Sequence, residues 1–395
     1  MSLLELLERE LAAIHERGHR RQLRSVESPQ GAEVTLDGRR VVNFSANNYL
    51  GLADHPALHA AAVQALATEG VGAGAARLIV GNLPAHRRLE AALASFHGAE
   101  AALLFPSGYQ ANLGVLAALA GPEDVVFSDA LNHASIIDGC RLSRARVVVY
   151  NHCDVDDLEK RLAEAEGRRR FVVTDTIFSM DGDLAPLASL RQVASRHGAF
   201  LVVDEAHATG ICGPQGQGRA AELALPVDVH MATLGKALGV AGAYVTGPRT
   251  LIDYLVNRAR SFVFTTGTPP ALAAAAARAV ELVASSEGDA LRTELRGHIE
   301  SLAAGLATRG LLVPGTGHTP IFPLIVGEET RALAATEFLL GRGIFVQAIR
   351  PPTVPRGTSR LRVALMATHI RQHLDALLSS IDAAVSADLL PRLPR

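Results

Sequence analysis

The chain has 395 residues, enough for two packed domains, and 48% of them are hydrophobic, enough for a large core. Its 38 basic and 40 acidic residues leave a formal charge of −2, so neither a nucleic acid nor a membrane surface has an electrostatic case as partner. Cys140, Cys153 and Cys212 show no CxxC spacing, so neither a disulfide framework nor a zinc knuckle is indicated, no metal is expected, and a reducing cytoplasm fits best.

The chain opens on Leu3-Leu4-Glu5-Leu6-Leu7-Glu8-Arg9-Glu10-Leu11. Three early acids argue against a signal or transit peptide, and the pattern predicts an amphipathic helix packed on the body. Residues 1–50 form an N-terminal helix and arm in this reading, 51–285 a large domain and 286–395 a smaller one. From about residue 55 to 285, β-branched runs alternate with Ala/Leu-rich helical patterns. The predicted strands are 101–105, 125–127, 147–150, 171–175, 200–204, 229–232 and 243–246. Apolar runs separated by helices predict an α/β fold with a mostly parallel seven-stranded sheet covered on both faces. The most apolar helical stretch, 271–284, is too short to span a bilayer and is broken by Arg278 and Glu281. After 286 a charged helix (290–309) precedes strands at 321–326, 344–346 and 361–364 and a last helix near Ile370, an α+β pattern. The prolines of Arg350-Pro351-Pro352-Thr353-Val354-Pro355 predict an extended segment.

Ligands in such sheets sit outside the carboxyl ends of the strands. The polar residues gather there: Ser107-Gly108, Asp129 and His133, Ser179, Asp204 and His207, then Thr233 and Lys236. Lys236 stands in the glycine-rich run Thr233-Leu234-Gly235-Lys236-Ala237-Leu238-Gly239, downstream of a strand that ends in Asp204. A lysine in such a turn is, by itself, more often an ordinary surface residue. Paired with the aspartate, it meets the needs of pyridoxal phosphate (PLP) chemistry: the amine holds the cofactor as a Schiff base, and the carboxylate keeps the pyridine nitrogen protonated.

Asp204-Glu205-Ala206-His207 also spells a helicase motif, but no G-x-x-x-x-G-K-[ST] loop precedes it. Gly70, Gly72 and Gly74 follow a helical pattern rather than a strand, which disfavours a dinucleotide loop. His133 alone reads as a buried histidine; beside Asp204 and Lys236 it is placed to stack on a pyridine ring. Ser107-Gly108-Tyr109 opens a helix whose free N–H groups favour a phosphate, although most such pairs are only caps.

With these residues in hand, the chain resembles the α-oxoamine synthases of the fold-type I PLP enzymes. The segments that carry the likeness are 43–52, Phe178-Ser179-Met180-Asp181-Gly182-Asp183, 204–210 and 348–362. The resemblance implies that Lys236 carries the cofactor and removes the amino acid's Cα proton, with Asp204 at the ring nitrogen, His133 stacked on the ring and His207 on the phenolic oxygen. It implies that Gly108, Tyr109, Ser179 and Thr233 hold the phosphate and ring edge, and that Thr265 and Thr266 reach the partner subunit's phosphate in a homodimer. Asn47 and Arg362 would bind the amino acid's carboxylate; Arg21 and Thr353 would contact the acyl group. The 348–362 segment leans towards L-alanine and a pimeloyl thioester, on CoA or acyl carrier protein, as substrates. Open alternatives are glycine with acetyl- or succinyl-CoA, serine with a long acyl-CoA, and a fold-type I aminotransferase.

Overall fold

The computed structural model describes residues 1–393. Contacts divide them into two compact units, one of Met1–Ala46, Met180–Gly182 and the chain from Leu295 onward, the other of Asn47–Ser179 and Asp183–Glu294.

The first unit begins with α1 (Leu3–Glu16), opened by a capping box in which Glu5 N–H donates to Ser2 Oγ at 3.2 Å and Ser2 N–H to Glu5 Oε2 at 2.7 Å. The helix forms as its sequence predicts, but it buries no residue, and Leu3, Leu4, Leu7 and Leu11 are exposed. The expected packing on the body is therefore not seen: an amphipathic pattern specifies a face that needs covering, not what covers it. Next comes a hairpin of β1 (Glu33–Leu36) and β2 (Arg39–Asn43). Its turn residues Asp37 and Gly38 both have positive φ, 48° and 76°, as a two-residue hairpin turn requires.

The second unit holds the large sheet: β3 (Ala101–Phe105), β4 (Val125–Asp129), β5 (Arg146–Tyr150), β6 (Arg170–Asp175), β7 (Phe200–Asp204), β8 (Val229–Thr233) and β9 (Ala243–Gly247). The strand order is β3-β9-β8-β7-β6-β4-β5. β8, β7, β6, β4 and β5 run parallel, and β9 is antiparallel to both of its neighbours. All seven predicted strands are present, mostly parallel. Helices α2 (Pro56–Glu69), α3 (Pro84–Phe96), α4 (Gly108–Leu119) and α5 (Ala134–Ser143) belong to this unit. Alternate strand residues feed two cores. Val126, Val173, Val202 and Met231 pack with Val115, Leu116 and Ile136 of α4 and α5. Phe127, Val172, Leu201 and Val203 pack with Leu158, Leu162, Leu190 and Val193. Burial on both faces is why these strands read as continuous apolar runs.

The remaining strands return to the first unit: β10 (Ile321–Gly327), β11 (Ile344–Phe345), β12 (Ala348–Ile349) and β13 (Ser359–Ala364). β13 lies between β10 and β12, antiparallel to both, while β11 pairs in parallel with β2. That pairing makes the N-terminal hairpin part of the C-terminal unit, whereas the sequence reading set 1–50 apart as an arm. The change in composition at 286 marks the start of the helix Ser286–Ala307, and the division between the units falls inside that helix. The proline-rich segment is a turn rather than an extended run. Its Pro351–Pro352 bond is cis, and Thr353 N–H donates to the Arg350 carbonyl at 3.1 Å. Proline suits turns as readily as extended chain. Among the described residues no helix is long and apolar enough to cross a membrane.

Candidate functional site

The second unit gathers its polar groups at the carboxyl ends of its parallel strands. β7 ends in Asp204, which is 5% exposed. Asp204 Oδ1 accepts the Ala206 N–H at 2.8 Å, and Oδ2 accepts Asn112 Nδ2–H from α4, also at 2.8 Å. Two donors fix the carboxylate's orientation. β6 pairs in register with β7, which sets Asp175 across from Asp204. Burial drives the Asp175 carboxyl well above the usual range, and the neighbouring Asp204 adds to the rise. Asp175 Oδ2 in turn accepts the His133 N–H at 2.8 Å.

His133 caps α5. Its Nδ1 accepts the Ser135 N–H at 3.2 Å and lies 2.7 Å from Ser135 Oγ. Burial pulls its pKa down; Asp204 opposes that pull and Lys236 reinforces it. Asp204 and Lys236 thus act on the protonation of both His133 and Asp175. Lys236 is half-buried in the loop after β8, a loop closed by Leu234 N–H on Gly242 O and Val240 N–H on Leu234 O, each at 2.9 Å. Gly239 turns that loop with φ 70°, and a Cβ there would fall 2.5 Å from Ala53 N.

Ser107 caps α4, accepting the Gln110 N–H at 3.2 Å, and α4 aims its N-terminus at the end of β8. A Cβ on Gly108 would lie 2.6 Å from Thr233 Cγ2, so only glycine allows this approach. Thr233 Oγ1 is buried and has no hydrogen-bond partner among the described residues. An unpartnered hydroxyl beside the first-turn N–H groups of Gly108 and Tyr109 suits a phosphate. The Tyr109 phenol points elsewhere, donating to Asp138 Oδ2 at 2.6 Å, which leaves its backbone as the group suited to an anion.

Tyr49, which is fully buried, joins two predicted residues: its hydroxyl is 2.7 Å from His207 Nδ1 and donates to Asn47 Oδ1 at 3.3 Å. Ser179 follows β6 and is half-buried. Thr265 and Thr266 lie beside the glycine loop instead, where Thr266 bridges Ala76 and Gly267 N–H donates to Ala75 O at 3.0 Å. Thr266 is exposed and Phe264 is 71% exposed.

In the first unit, Arg21 Nη2 donates to Thr353 Oγ1 at 3.4 Å, bringing together two predicted residues far apart in sequence. Arg24 is committed to Glu337 at 2.5 Å, and Arg17 to the Ala13 carbonyl at 2.9 Å, which separates Arg21 from these two neighbouring arginines. Arg21 and Thr353 line a cavity of about 750 Å³ together with Arg20, Gln347 and Arg350. Burial lowers the Arg350 pKa, and nearby Arg21 lowers it further. Arg362 lies buried on β13, opposite Pro323 of β10.

Asn112, Ser135, Asp175 and Tyr49 escaped the sequence reading. Asp175 ends a predicted strand, and Asn112 is a polar residue within an Ala/Leu-rich helix; both were signals available in the chain.

Residues 39–381 match the family model for class I and II aminotransferases. The chain belongs to that family. Within it, the chain is 54% identical over 394 residues to an 8-amino-7-oxononanoate synthase of Anaeromyxobacter sp. (strain K), covering 99% of this chain and 98% of the relative. A variant of serine palmitoyltransferase from S. paucimobilis, solved with a bound PLP–myriocin aldimine, superposes with a TM-score of 0.92 at 30% identity, covering 98% of this chain and 99% of that one. An 8-amino-7-oxononanoate synthase from Francisella tularensis gives a TM-score of 0.77 at 26% identity, over 89% and 99% of the two chains.

Proposed function

We propose that this family member uses PLP to condense L-alanine with a pimeloyl thioester, on CoA or acyl carrier protein, giving 8-amino-7-oxononanoate, CO₂ and the free thiol in biotin biosynthesis. The observation that carries the reading is the cluster of Asp204, His133 and Lys236 at the carboxyl ends of the sheet, in a chain whose near-full-length relative bears that name.

PLP, when bound, supplies an electron sink for a carbanion at the amino acid's Cα. The residues present fit it: Thr233 Oγ1, Gly108 and the start of α4 offer a phosphate cradle, and Asp204 a fixed carboxylate for the ring nitrogen. In this reading Lys236 holds the cofactor covalently at rest. It would take the Cα proton of the bound amino acid and return a proton after CO₂ leaves. His133 would stack on the ring, His207 would hydrogen-bond the phenolic oxygen, and Ser179 would hold the ring edge. Asn47 and Arg362 hold the amino acid's carboxylate, for which a planar guanidinium is suited. Arg21 and Thr353 contact the acyl group; their hydrogen bond supports a joint role. Thr265 and Thr266 serve the partner subunit's phosphate in a homodimer, and the enzyme works in the cytoplasm.

Thiol release tests the reading directly. Alanine, glycine and serine are each supplied with acetyl, succinyl, pimeloyl and palmitoyl thioesters. Alanine with the pimeloyl thioester should turn over fastest. Faster release with serine and the palmitoyl thioester, the pair suggested by the serine palmitoyltransferase likeness, or with glycine, would move the assignment to a sister synthase.

A further inference from the structure

We propose that Asn112 is a positioning residue for this reaction: from α4 it orients the Asp204 carboxylate and, through Ser135, the imidazole of His133. The inference rests on the reading of Asp204 and His133 as the residues that meet the cofactor ring. Asn112 is 4% exposed. Its amide nitrogen carries two hydrogens, and both are used: one bonds Asp204 Oδ2 at 2.8 Å and the other Ser135 Oγ at 2.9 Å. Turning the amide over would set its oxygen against the Asp204 carboxylate, so a single orientation satisfies both contacts. Ser135 has one hydroxyl proton. With its oxygen accepting from Asn112, that proton is directed at His133 Nδ1, 2.7 Å away, where the Ser135 backbone N–H also donates. Nδ1 is then an acceptor, and the proton of the neutral ring sits on Nε2.

The link is built into the packing of the two helices. Gly139 of α5 lets it come close enough to α4 that a Cβ would stand 2.9 Å from the Asn112 carbonyl. Around Asn112 the helix is apolar, with Ala111, Val115 and Leu116 all buried. A buried amide among such neighbours is costly unless it is paired, and both of its donors go to groups at the candidate site. The charged and titratable groups facing His133 are Asp204 on β7, Asp175 on β6 and Lys236 after β8.

The test uses the PLP-loaded enzyme with Asn112→Leu, which keeps the volume, and Asn112→Asp, which replaces the donor with an acceptor. Both release the Ser135 hydroxyl from its directed bond, so the His133 ring, followed by NMR, should titrate at higher pH than in the parent. The pH dependence of cofactor absorbance should shift with it. kcat should fall about 10- to 100-fold, the scale of losing one hydrogen bond to a charged group, with KM for the amino acid changed less than about threefold. Ser135→Ala cuts the same chain one link on and serves if the Asn112 variants fail to fold; it too should raise the His133 titration. An unmoved His133 titration overturns the proposal, even where activity drops together with thermal stability, because Asn112 is then only structural. So does a kcat within about twofold of the parent. The NMR reading does not depend on which thioester is the substrate, so its failure is distinct from failure of the proposed reaction.

Discussion

The hydroxyl of Tyr49 lies 2.7 Å from Nδ1 of His207, and the same hydroxyl donates to Asn47. Tyr49 thereby couples the residue proposed at the cofactor's phenolic oxygen to one proposed at the substrate carboxylate. Tyr49→Phe keeps the buried ring and removes the coupling. Stability should drop by about 1–3 kcal/mol, the usual net worth of two hydrogen bonds. KM for alanine should rise and the cofactor's absorption should shift, because both ends of the coupling are loosened. Unfolding curves, steady-state kinetics and a visible spectrum check all three.

Gly108 and Thr233 make a stricter test of the phosphate cradle. In Gly108→Ala the new methyl would meet Thr233 Cγ2 at 2.6 Å and push α4 from the end of β8. Overpacking of this kind costs about 1–3 kcal/mol, and PLP affinity should fall with it. Thr233→Ser removes the offending methyl and keeps the hydroxyl. The double variant should therefore regain most of the affinity lost by Gly108→Ala, which equilibrium dialysis of the cofactor would read. Equal losses in the single and double variants would detach Gly108 from the cradle.

The strands were legible because burial on both faces leaves uninterrupted apolar runs, and the site was legible because its residues end those runs. His133, Asp204, Thr233 and Lys236 could be picked out on that ground alone. The group that ties them together was not, because Asn112 reaches Asp204 from 92 residues away in the chain and Ser135 from 23, pairings no local pattern encodes. The fate of α1 was hidden for a different reason: its apolar stripe is real, yet none of its residues is buried. The turn at 350–355 was misread because proline rules exclude helix without choosing between extended chain and turn.

His152 sits between two carboxylates, with Nδ1 2.8 Å from Asp129 Oδ1 and Nε2 2.7 Å from Asp183 Oδ2. Burial opposes its charge, but the hydrogen bonds to Asp129 and Asp183 prevail and push its pKa up to about 12. A histidine raised in the folded state stabilises fully below its unfolded pKa of about 6.5, and that contribution fades as pH climbs towards the folded value. His152→Gln should thus be clearly less stable than the parent near neutral pH. The gap should narrow steadily between about pH 6.5 and about pH 10. Thermal unfolding of both proteins across that range measures it, and a gap that does not change with pH would deny His152 its charge.

Sharing of sites between subunits is tested by mixing two defective proteins. Lys236→Ala removes the proposed cofactor-bearing amine, and a Thr265→Ala/Thr266→Ala pair removes the hydroxyls proposed to reach the partner's phosphate. The exposure of Thr266 and of neighbouring Phe264 motivates the pairing. If each site combines Lys236 of one subunit with the threonines of the other, a mixed dimer has one site carrying both defects and one carrying neither. Random reassortment of equal amounts makes half of the dimers mixed, so activity should recover to about one quarter of the parent. Each protein alone should stay near its own residual rate at the same total concentration. Exchange is driven by brief dilution in mild denaturant, and the mixed species is counted by native mass spectrometry. Mixed dimers that form without any gain in thiol release would show that every site is complete within one subunit.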